Sequence, residues 1–159
     1  MQEGRKVLVT GGAGFIGSHL AERLLELGCD VHVADNLSRG TIKNIEPFLG
    51  KIRFYKTDLT SIENCLSVTK DVDYVFHLAS SVGGVQYIRA ENVNNLVPSV
   101  LMNINMLEAA RRCGVERFAF TSSACVYREK NSSLNRFKED EAFPADPPTT
   151  YGWAKVLGE

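Results

Sequence analysis

A glycine-rich segment near the N-terminus constrains the fold of this chain more than any other feature. The apolar, β-branched run Lys6–Thr10 predicts a buried strand. Glycines follow at positions 11, 12, 14 and 17, and Ser18–Leu27 then has leucine and alanine at helical spacing, with Gly28 as its predicted end. A strand, a glycine loop and a helix N-terminus form an anion site, because backbone N–H groups and the positive helix end face a pyrophosphate. The alternative is a plain β–α turn.

A carboxylate follows the second predicted strand. That strand, Asp30–Ala34, ends at Asp35, which lies 18 residues after Gly17. A carboxylate at this point accepts hydrogen bonds from ribose hydroxyls and repels a 2′-phosphate, so NAD is predicted in preference to NADP. Arg39 nearby weakens the exclusion of NADP.

The middle of the chain alternates strands and helices, which is typical of a doubly wound sheet. Further strands are predicted at Ile52–Tyr55, Asp73–Ala79 and Glu116–Thr121, and helices at about Ser61–Val68 and Asn92–Cys113, the second with Pro98 as a point of interruption. Residues 128–148 are predicted to form an ordered surface loop. The prediction is one α/β domain over residues 1–159, with a Rossmann-type parallel sheet. Ligands bind outside the carboxyl ends of such strands, and five loops are predicted to meet there: Gly11–Gly17, Asp35, Asp58, Leu78–Ser80 and Ser122–Cys125.

Composition and charge argue against several other classes of protein. A net charge of −1 gives no electrostatic footprint for nucleic acid or an anionic membrane. No apolar run approaches the roughly 20 residues of a membrane span, and no signal-peptide pattern is present. The four cysteines and three histidines lack metal-type spacing, so we expect no metal site, reduced thiols and a cytoplasmic protein.

Tyr151 and Lys155 form a second candidate functional pair. On a helix, positions i and i+4 lie on one face about 6 Å apart. A lysine there favours the phenolate and is expected to lower the tyrosine pKa from roughly 10 toward neutrality, which would make a general base for a sugar or alcohol hydroxyl. The alternative is an ordinary amphipathic helix with a buried Tyr151 and a solvated Lys155.

Taken together, these motifs resemble the extended short-chain dehydrogenase/reductase family, the NAD-dependent sugar-nucleotide epimerases and dehydratases. The resemblance covers essentially the whole chain. It rests on the following segments: Thr10–Gly17, the Asp35-Asn36-Leu37-Ser38 turn, Ser122-Ser123-Ala124 and Tyr151-x-x-x-Lys155.

The resemblance implies a role for each matching residue. Tyr151 would deprotonate the sugar 4-hydroxyl, Lys155 would hold the nicotinamide ribose, and Ser123 would bond the reacting oxygen. Cofactor contacts are implied for Gly11, Gly14, Phe15, Ile16, Gly17, Asp35, Asn36, Asp58, Leu59, Leu78, Ala79, Ser80, Tyr151 and Lys155. Substrate contacts are implied for Gly83, Gly84, Ser122 and Ser123.

Three features are most similar to the subgroup of GDP-mannose 3,5-epimerases. They are Gly83-Gly84, the segment Ser122–Tyr127 and the segment Glu139–Pro147. In that subgroup the position of Cys125 supplies an acid/base for protons beside a transient 4-ketone. A thiol suits this exchange, since its ordinary pKa is about 8.5. The alternative is a small hydrophobe at a strand end.

Other functions stay open at this stage. A 4-epimerase of the UDP-glucose type needs no second acid/base and is the principal alternative. A 4,6-dehydratase is disfavoured, because those relatives carry an acidic pair where this chain has Ala124-Cys125. A non-catalytic NAD-binding module is the alternative of another class. The resemblance also implies a homodimer, and it implies that a C-terminal substrate-binding portion is missing after Glu159.

Overall fold

Five parallel strands form one sheet in the computed structural model, which describes residues 3–81, 83, 93–128, 137–139 and 142–159. The neighbouring strands are all parallel, and their order is β3-β2-β1-β4-β5. The chain therefore reverses its direction of winding between β1 and β4, the point at which such sheets bind ligands. This confirms the predicted Rossmann-type sheet. The strands are β1 (Lys6–Thr10), β2 (Asp30–Asp35), β3 (Arg53–Lys56), β4 (Tyr74–His77) and β5 (Arg117–Phe120).

The helices differ from the predictions at their ends. The first helix begins at Phe15 and not at Ser18, because Gly14 already takes the extended N-cap conformation, so Gly17 lies inside the helix. The long helix continues through Pro98. Three short 3-10 segments, Ile42–Asn44, Glu46–Lys51 and Ala124–Val126, were not predicted. The α-helices are α1 (Phe15–Glu26), α2 (Ile62–Thr69), α3 (Val93–Cys113) and α4 (Thr150–Val156).

Alternating strand residues build two cores, one on each face of the sheet. Val7 and Val9 of β1 pack on the face that carries α1, whereas Leu8 packs on the face with α2 and α3. Each fully buried aliphatic side chain of this kind stabilises the fold by about 1.5–3 kcal/mol. The sheet fixes the positions of the carboxyl ends of its strands. The predicted cofactor residues after β1, β2, β3 and β4 directly follow those ends.

The chain divides into two compact units. The first comprises residues 1–80 and 101–121 and contains the whole sheet; the second comprises residues 81–100 and 122–159. The loops after β1, β2, β3 and β4 belong to the first unit. Ser122–Cys125 belongs to the second unit, together with α4.

The described part of the chain contains neither a membrane-spanning helix nor a metal-binding cluster. None of its helices is long and apolar enough to cross a membrane. Its cysteine, histidine and acidic side chains form no group that could hold a metal ion. All four cysteines are free thiols.

Candidate functional site

Close backbone packing requires glycine in the loop after β1. Gly11 has a φ of +66°, and a Cβ on it would lie 3.0 Å from the Cα and the N of Ala79. A Cβ on Gly17 would overlap the carbonyl oxygen of Gly11. Gly11 therefore allows the β1 loop to approach the β4 loop, and Gly17 allows α1 to pack on its own loop.

The N-terminus of α1 fits a pyrophosphate. Gly14 supplies no side-chain cap, and no acidic residue lies in the first turn. The first amides of an α-helix have no partner within the helix, so they attract an anion. Phe15 and Ile16, whose side chains are 79% and 68% exposed, leave this helix end open in the first unit.

Asp35 connects the first two loops. Its Oδ2 accepts a hydrogen bond from the Ala13 amide at 3.0 Å, and its Oδ1 accepts one from the Leu37 amide at 2.7 Å. The Ala13 carbonyl in turn accepts from the Thr41 amide and from Asn44 Nδ2. An ionised carboxylate has about four acceptor positions, so ribose hydroxyls can still be accommodated. Asp35 is thus a structural link as well as the predicted ribose acceptor.

Three other predicted cofactor residues have local structural partners. Asn36 Oδ1 accepts from the Ser38 amide, and Asp58 Oδ1 accepts from the amide and hydroxyl of Thr60. The Leu59 side chain is 3% exposed and packs in the core. A contact between Leu59 and an adenine ring could therefore involve its backbone but not its side chain.

The loop after β4 is held by a buried hydrogen-bond chain that the sequence did not predict. The amides of Leu78 and Ala79 both donate to Thr10 Oγ1 at 3.1 Å. Thr10 Oγ1 lies 2.8 Å from His77 Nδ1, and His77 Nε2 lies 3.1 Å from Asn103 Oδ1. The only sequence signal was a polar residue at the end of each of two neighbouring strands. Ser80, another predicted cofactor residue, comes directly after Ala79 in the sequence.

In the second unit, α4 places Tyr151 and Lys155 one turn apart. Thr149 caps the helix by accepting a hydrogen bond from the Gly152 amide at 3.1 Å. Lys155 Nζ lies 5.7 Å from the centroid of the Tyr151 ring, and the lysine side chain is buried. The pair shares one helical face, as predicted. Lys155 is buried, which argues against the alternative in which its side chain is solvated.

Ser123 and Cys125 lie against the same helix. Ser123 caps the 3-10 segment Ala124–Val126 by accepting from the Cys125 amide at 3.1 Å, and its hydroxyl is close enough to Tyr151 to lower the pKa of that phenol. A Cβ on Gly152 would overlap the carbonyl oxygen of Cys125. This close packing places the turn that carries Ser123 and Cys125 against the helix that carries Tyr151 and Lys155.

The pKa values differ from the expectation for Tyr151. Burial raises the pKa of its phenol, the hydrogen bond with Ser123 lowers it, and the Cys125 thiolate raises it. Burial lowers the pKa of Lys155 to about 8. The predicted lowering of the Tyr151 pKa by Lys155 is therefore wrong for the protein alone. Burial is the largest cause of the shift in both groups, because it disfavours each charged form.

The predicted substrate residues are less clearly grouped. The Ser122 hydroxyl donates to the Glu159 carboxylate. Gly83 is half-buried, and Gly84 lies outside the described residues. Parts of the predicted loop at 128–148 and the first residue of the predicted helix at Asn92 also lie outside them.

Comparisons with known proteins agree with this architecture. The chain belongs to the NAD dependent epimerase/dehydratase family, whose profile matches residues 7–159. It is 38% identical over 156 residues to GDP-mannose 3,5-epimerase 1 of Oryza sativa subsp. indica, a match that covers 97% of this chain and 40% of that protein. It is 36% identical over 163 residues to a putative UDP-glucose 4-epimerase of Methanocaldococcus jannaschii. This match covers 96% of this chain and 48% of the relative.

A solved structure shows the same likeness. The UDP-glucose 4-epimerase of Thermus thermophilus in complex with NAD superposes with a TM-score of 0.83 at 33% identity, covering 96% of this chain and 48% of that one. The chain thus spans less than half the length of each of these three proteins. It carries the α/β fold of NAD-dependent sugar-nucleotide epimerases.

Proposed function

We propose that this chain is the NAD-binding part of a nucleotide-sugar epimerase that acts through a transient 4-keto sugar, and that it is most like a GDP-mannose 3,5-epimerase. The observation that carries the proposal is the close packing of Tyr151 and Lys155 on the turn that holds Ser123 and Cys125. The identity of 38% to the rice 3,5-epimerase supports this choice of reaction. A module that only bound NAD would need neither Ser123 nor Cys125.

Residues of the first unit would hold the pyrophosphate and the adenosine ribose of NAD. The uncapped end of α1 would hold the pyrophosphate, and Asp35 would accept from the adenosine ribose. NAD supplies a hydride acceptor for carbon 4, and the positive charge of its oxidised ring has the sign that lowers the pKa of a nearby phenol.

The protein side chains would divide the proton transfers between them. Tyr151 takes the proton of the 4-hydroxyl, and Ser123, which is close enough to lower the pKa of Tyr151, orients the same oxygen. Lys155 has a pKa of about 8 and so carries its charge in most molecules at neutral pH. That charge would favour the Tyr151 phenolate when the oxygen is deprotonated.

Cys125 would carry out the second part of the reaction. A ketone at carbon 4 acidifies the hydrogens at carbons 3 and 5. The thiol removes or returns a proton there, and reduction of the ketone restores the alcohol, so the overall reaction is an isomerisation. The Cys125 side chain is partly exposed and is close enough to Tyr151 to affect its pKa.

A 4-epimerase is the second candidate. It is supported by the 36% identity to the putative archaeal UDP-glucose 4-epimerase and by the TM-score of 0.83 to the Thermus enzyme. In that reaction the ketone is reduced from its other face, and Cys125 exchanges no proton with the sugar.

The proposal also includes a cytoplasmic homodimer. The helix α3 has several exposed apolar side chains, which would become buried against a second copy: Val97, Leu101, Ile104 and Leu107. Gel filtration with light scattering tests this part.

Turnover in heavy water distinguishes the two reactions. The complete gene product would be incubated with GDP-mannose and, separately, UDP-glucose, and the products examined by NMR. A 3,5-epimerase places deuterium on carbon 3 or carbon 5, whereas a 4-epimerase places none on carbon. Cys125→Ser should sharply slow deuterium entry, because a serine hydroxyl is a far weaker acid than a thiol. Turnover without carbon-bound deuterium would refute the 3,5-epimerase and favour the 4-epimerase.

A further inference from the structure

The hydrogen bond between Ser122 and Glu159 is not used by the proposed reaction. Both residues belong to the second unit, where Ser122 directly precedes Ser123 and Glu159 follows α4. The Ser122 hydroxyl donates to the Glu159 carboxylate. The residue next to the catalytic serine is therefore joined to the end of the helix that carries the catalytic tyrosine.

Glu159 lies on the same face of α4 as the catalytic pair. Its amide donates to the Lys155 carbonyl at 3.3 Å, which continues the helical hydrogen bonding for one turn after Lys155. Positions four apart share a helical face, so Tyr151, Lys155 and Glu159 form one row. Ser123 is close enough to the first of them to lower its pKa, and Ser122 is bonded to the third. Two consecutive serines thus face one row of side chains.

Ser122 offsets an unfavourable position of the Glu159 charge. The C-terminus of a helix carries a partial negative charge, so a carboxylate there is disfavoured. A hydroxyl that donates to an ionised carboxylate forms one of the stronger kinds of side-chain hydrogen bond. Because the bond has one donor and one acceptor, the loss of either side chain frees the other.

We propose that Ser122 and Glu159 are positioning residues for Ser123 and Tyr151, an inference that rests on the proposed function. Their bond fixes the start of the turn that carries Ser123 to the helix that carries Tyr151. Without the bond, this turn can shift along α4, and the Ser123 hydroxyl loses its place beside the reacting oxygen. The Ser122 hydroxyl therefore acts on the protein, whereas the resemblance implied a contact between Ser122 and the substrate.

A double-mutant cycle in the complete gene product separates these two roles. Ser122→Ala and Glu159→Ala remove the same bond, so each should lower kcat about tenfold, the equivalent of roughly one hydrogen bond to a charged group. The double variant should be no slower than either single variant, because the bond can be lost only once. KM for the nucleotide sugar should change by less than about twofold, since a positioning residue makes no contact with the substrate.

Two further variants serve as controls. Glu159→Gln keeps an acceptor oxygen for the Ser122 hydroxyl and should recover most of the rate. Glu22→Ala removes another exposed glutamate, one on α1 that takes part in none of the hydrogen bonds or ion pairs of the described residues, and it should match the unaltered protein.

A second measurement needs neither NAD nor sugar. Because Ser123 lowers the pKa of Tyr151, a displaced turn should raise it. NMR of ¹³C-labelled tyrosine, assigned with Tyr151→Phe, should show Tyr151 titrating at higher pH in Ser122→Ala and Glu159→Ala than in Glu22→Ala or the unaltered protein. Urea unfolding of each variant shows that the proteins compared are folded.

The possible failures are distinguishable. An unchanged Tyr151 pKa in both variants, or rate losses that multiply in the double variant, would overturn the positioning role alone. A raised KM in Ser122→Ala with kcat unchanged would also overturn it and would assign Ser122 to the substrate. A folded, unaltered gene product that epimerises no nucleotide sugar would overturn the proposed function, and with it this inference, even if the tyrosine titration behaved as expected.

Discussion

Replacing Gly152 by alanine should damage catalysis much more than it damages the fold. The added methyl group would overlap the carbonyl oxygen of Cys125 and would lie 2.6 Å from Cβ of Pro147. The nearer atom belongs to the backbone and cannot rotate away. Either α4 or the turn at Cys125 must therefore move.

The expected change in stability is small because two effects oppose each other. Overpacking costs typically about 1–3 kcal/mol. The change from glycine to alanine within a helix recovers about 1 kcal/mol. We therefore expect a net loss of about 0–2 kcal/mol in the free energy of unfolding. The catalytic effect is larger, since a shift of about 1 Å in a reacting group can cost about a hundredfold in rate, and Tyr151 is the adjacent residue.

Gly50→Ala is the matched control. A Cβ on Gly50 meets no atom within 4 Å, and this glycine is also in a short helical segment. Urea unfolding would give the stability of both variants, and the rate of sugar epimerisation by the complete gene product would give their activity. Gly152→Ala with the activity and stability of Gly50→Ala would refute the packing argument.

Three further predictions concern charged groups. Asp35→Ala should narrow the preference for NAD over NADP, because the carboxylate no longer repels a 2′-phosphate; calorimetric titration with both cofactors checks this, and an unchanged ratio would contradict it. Burial lowers the pKa of His32, so the unfolded chain binds more protons below about pH 6.5, and the free energy of unfolding should fall on acidification from that pH. Urea titrations at several pH values measure this fall, which His32→Leu should reduce; an equal fall in both proteins would exclude His32 as its source. Lys155 should titrate near pH 8 in the protein without NAD, and NMR of ¹³C-labelled lysine would show it, whereas an ordinary lysine pKa would show that the ammonium is not desolvated.

The sheet was predictable because its signals are local. Lys6–Thr10 and Asp30–Ala34 are β-branched runs that end at a glycine loop and at a carboxylate, and both strands formed as expected. The start of α1 was missed by three residues, since Gly14 and not Gly17 provides the extended N-cap. Where several glycines lie close together, the sequence alone does not indicate which of them takes the N-cap conformation.

The candidate site was predictable by residue type but not by environment. The spacing of Tyr151 and Lys155 predicted their shared face, and the structure has it. The direction of the Tyr151 pKa depends on burial by residues far away in sequence, and that information is not contained in a spacing of four. The bonds joining Thr10, His77 and Asn103 span 67 and 26 residues, so only the folded sheet shows them.

A label on carbon 4 of the sugar tests the central claim most directly. A nucleotide sugar that carries deuterium at carbon 4 would be converted in ordinary water by the complete gene product loaded with NAD. If the reaction passes through a transient 4-ketone, the deuterium leaves and returns without contact with water, so the product should retain it at carbon 4 and should form more slowly than from the unlabelled sugar. Loss of the deuterium to water, or turnover in protein freed of NAD, would contradict the account.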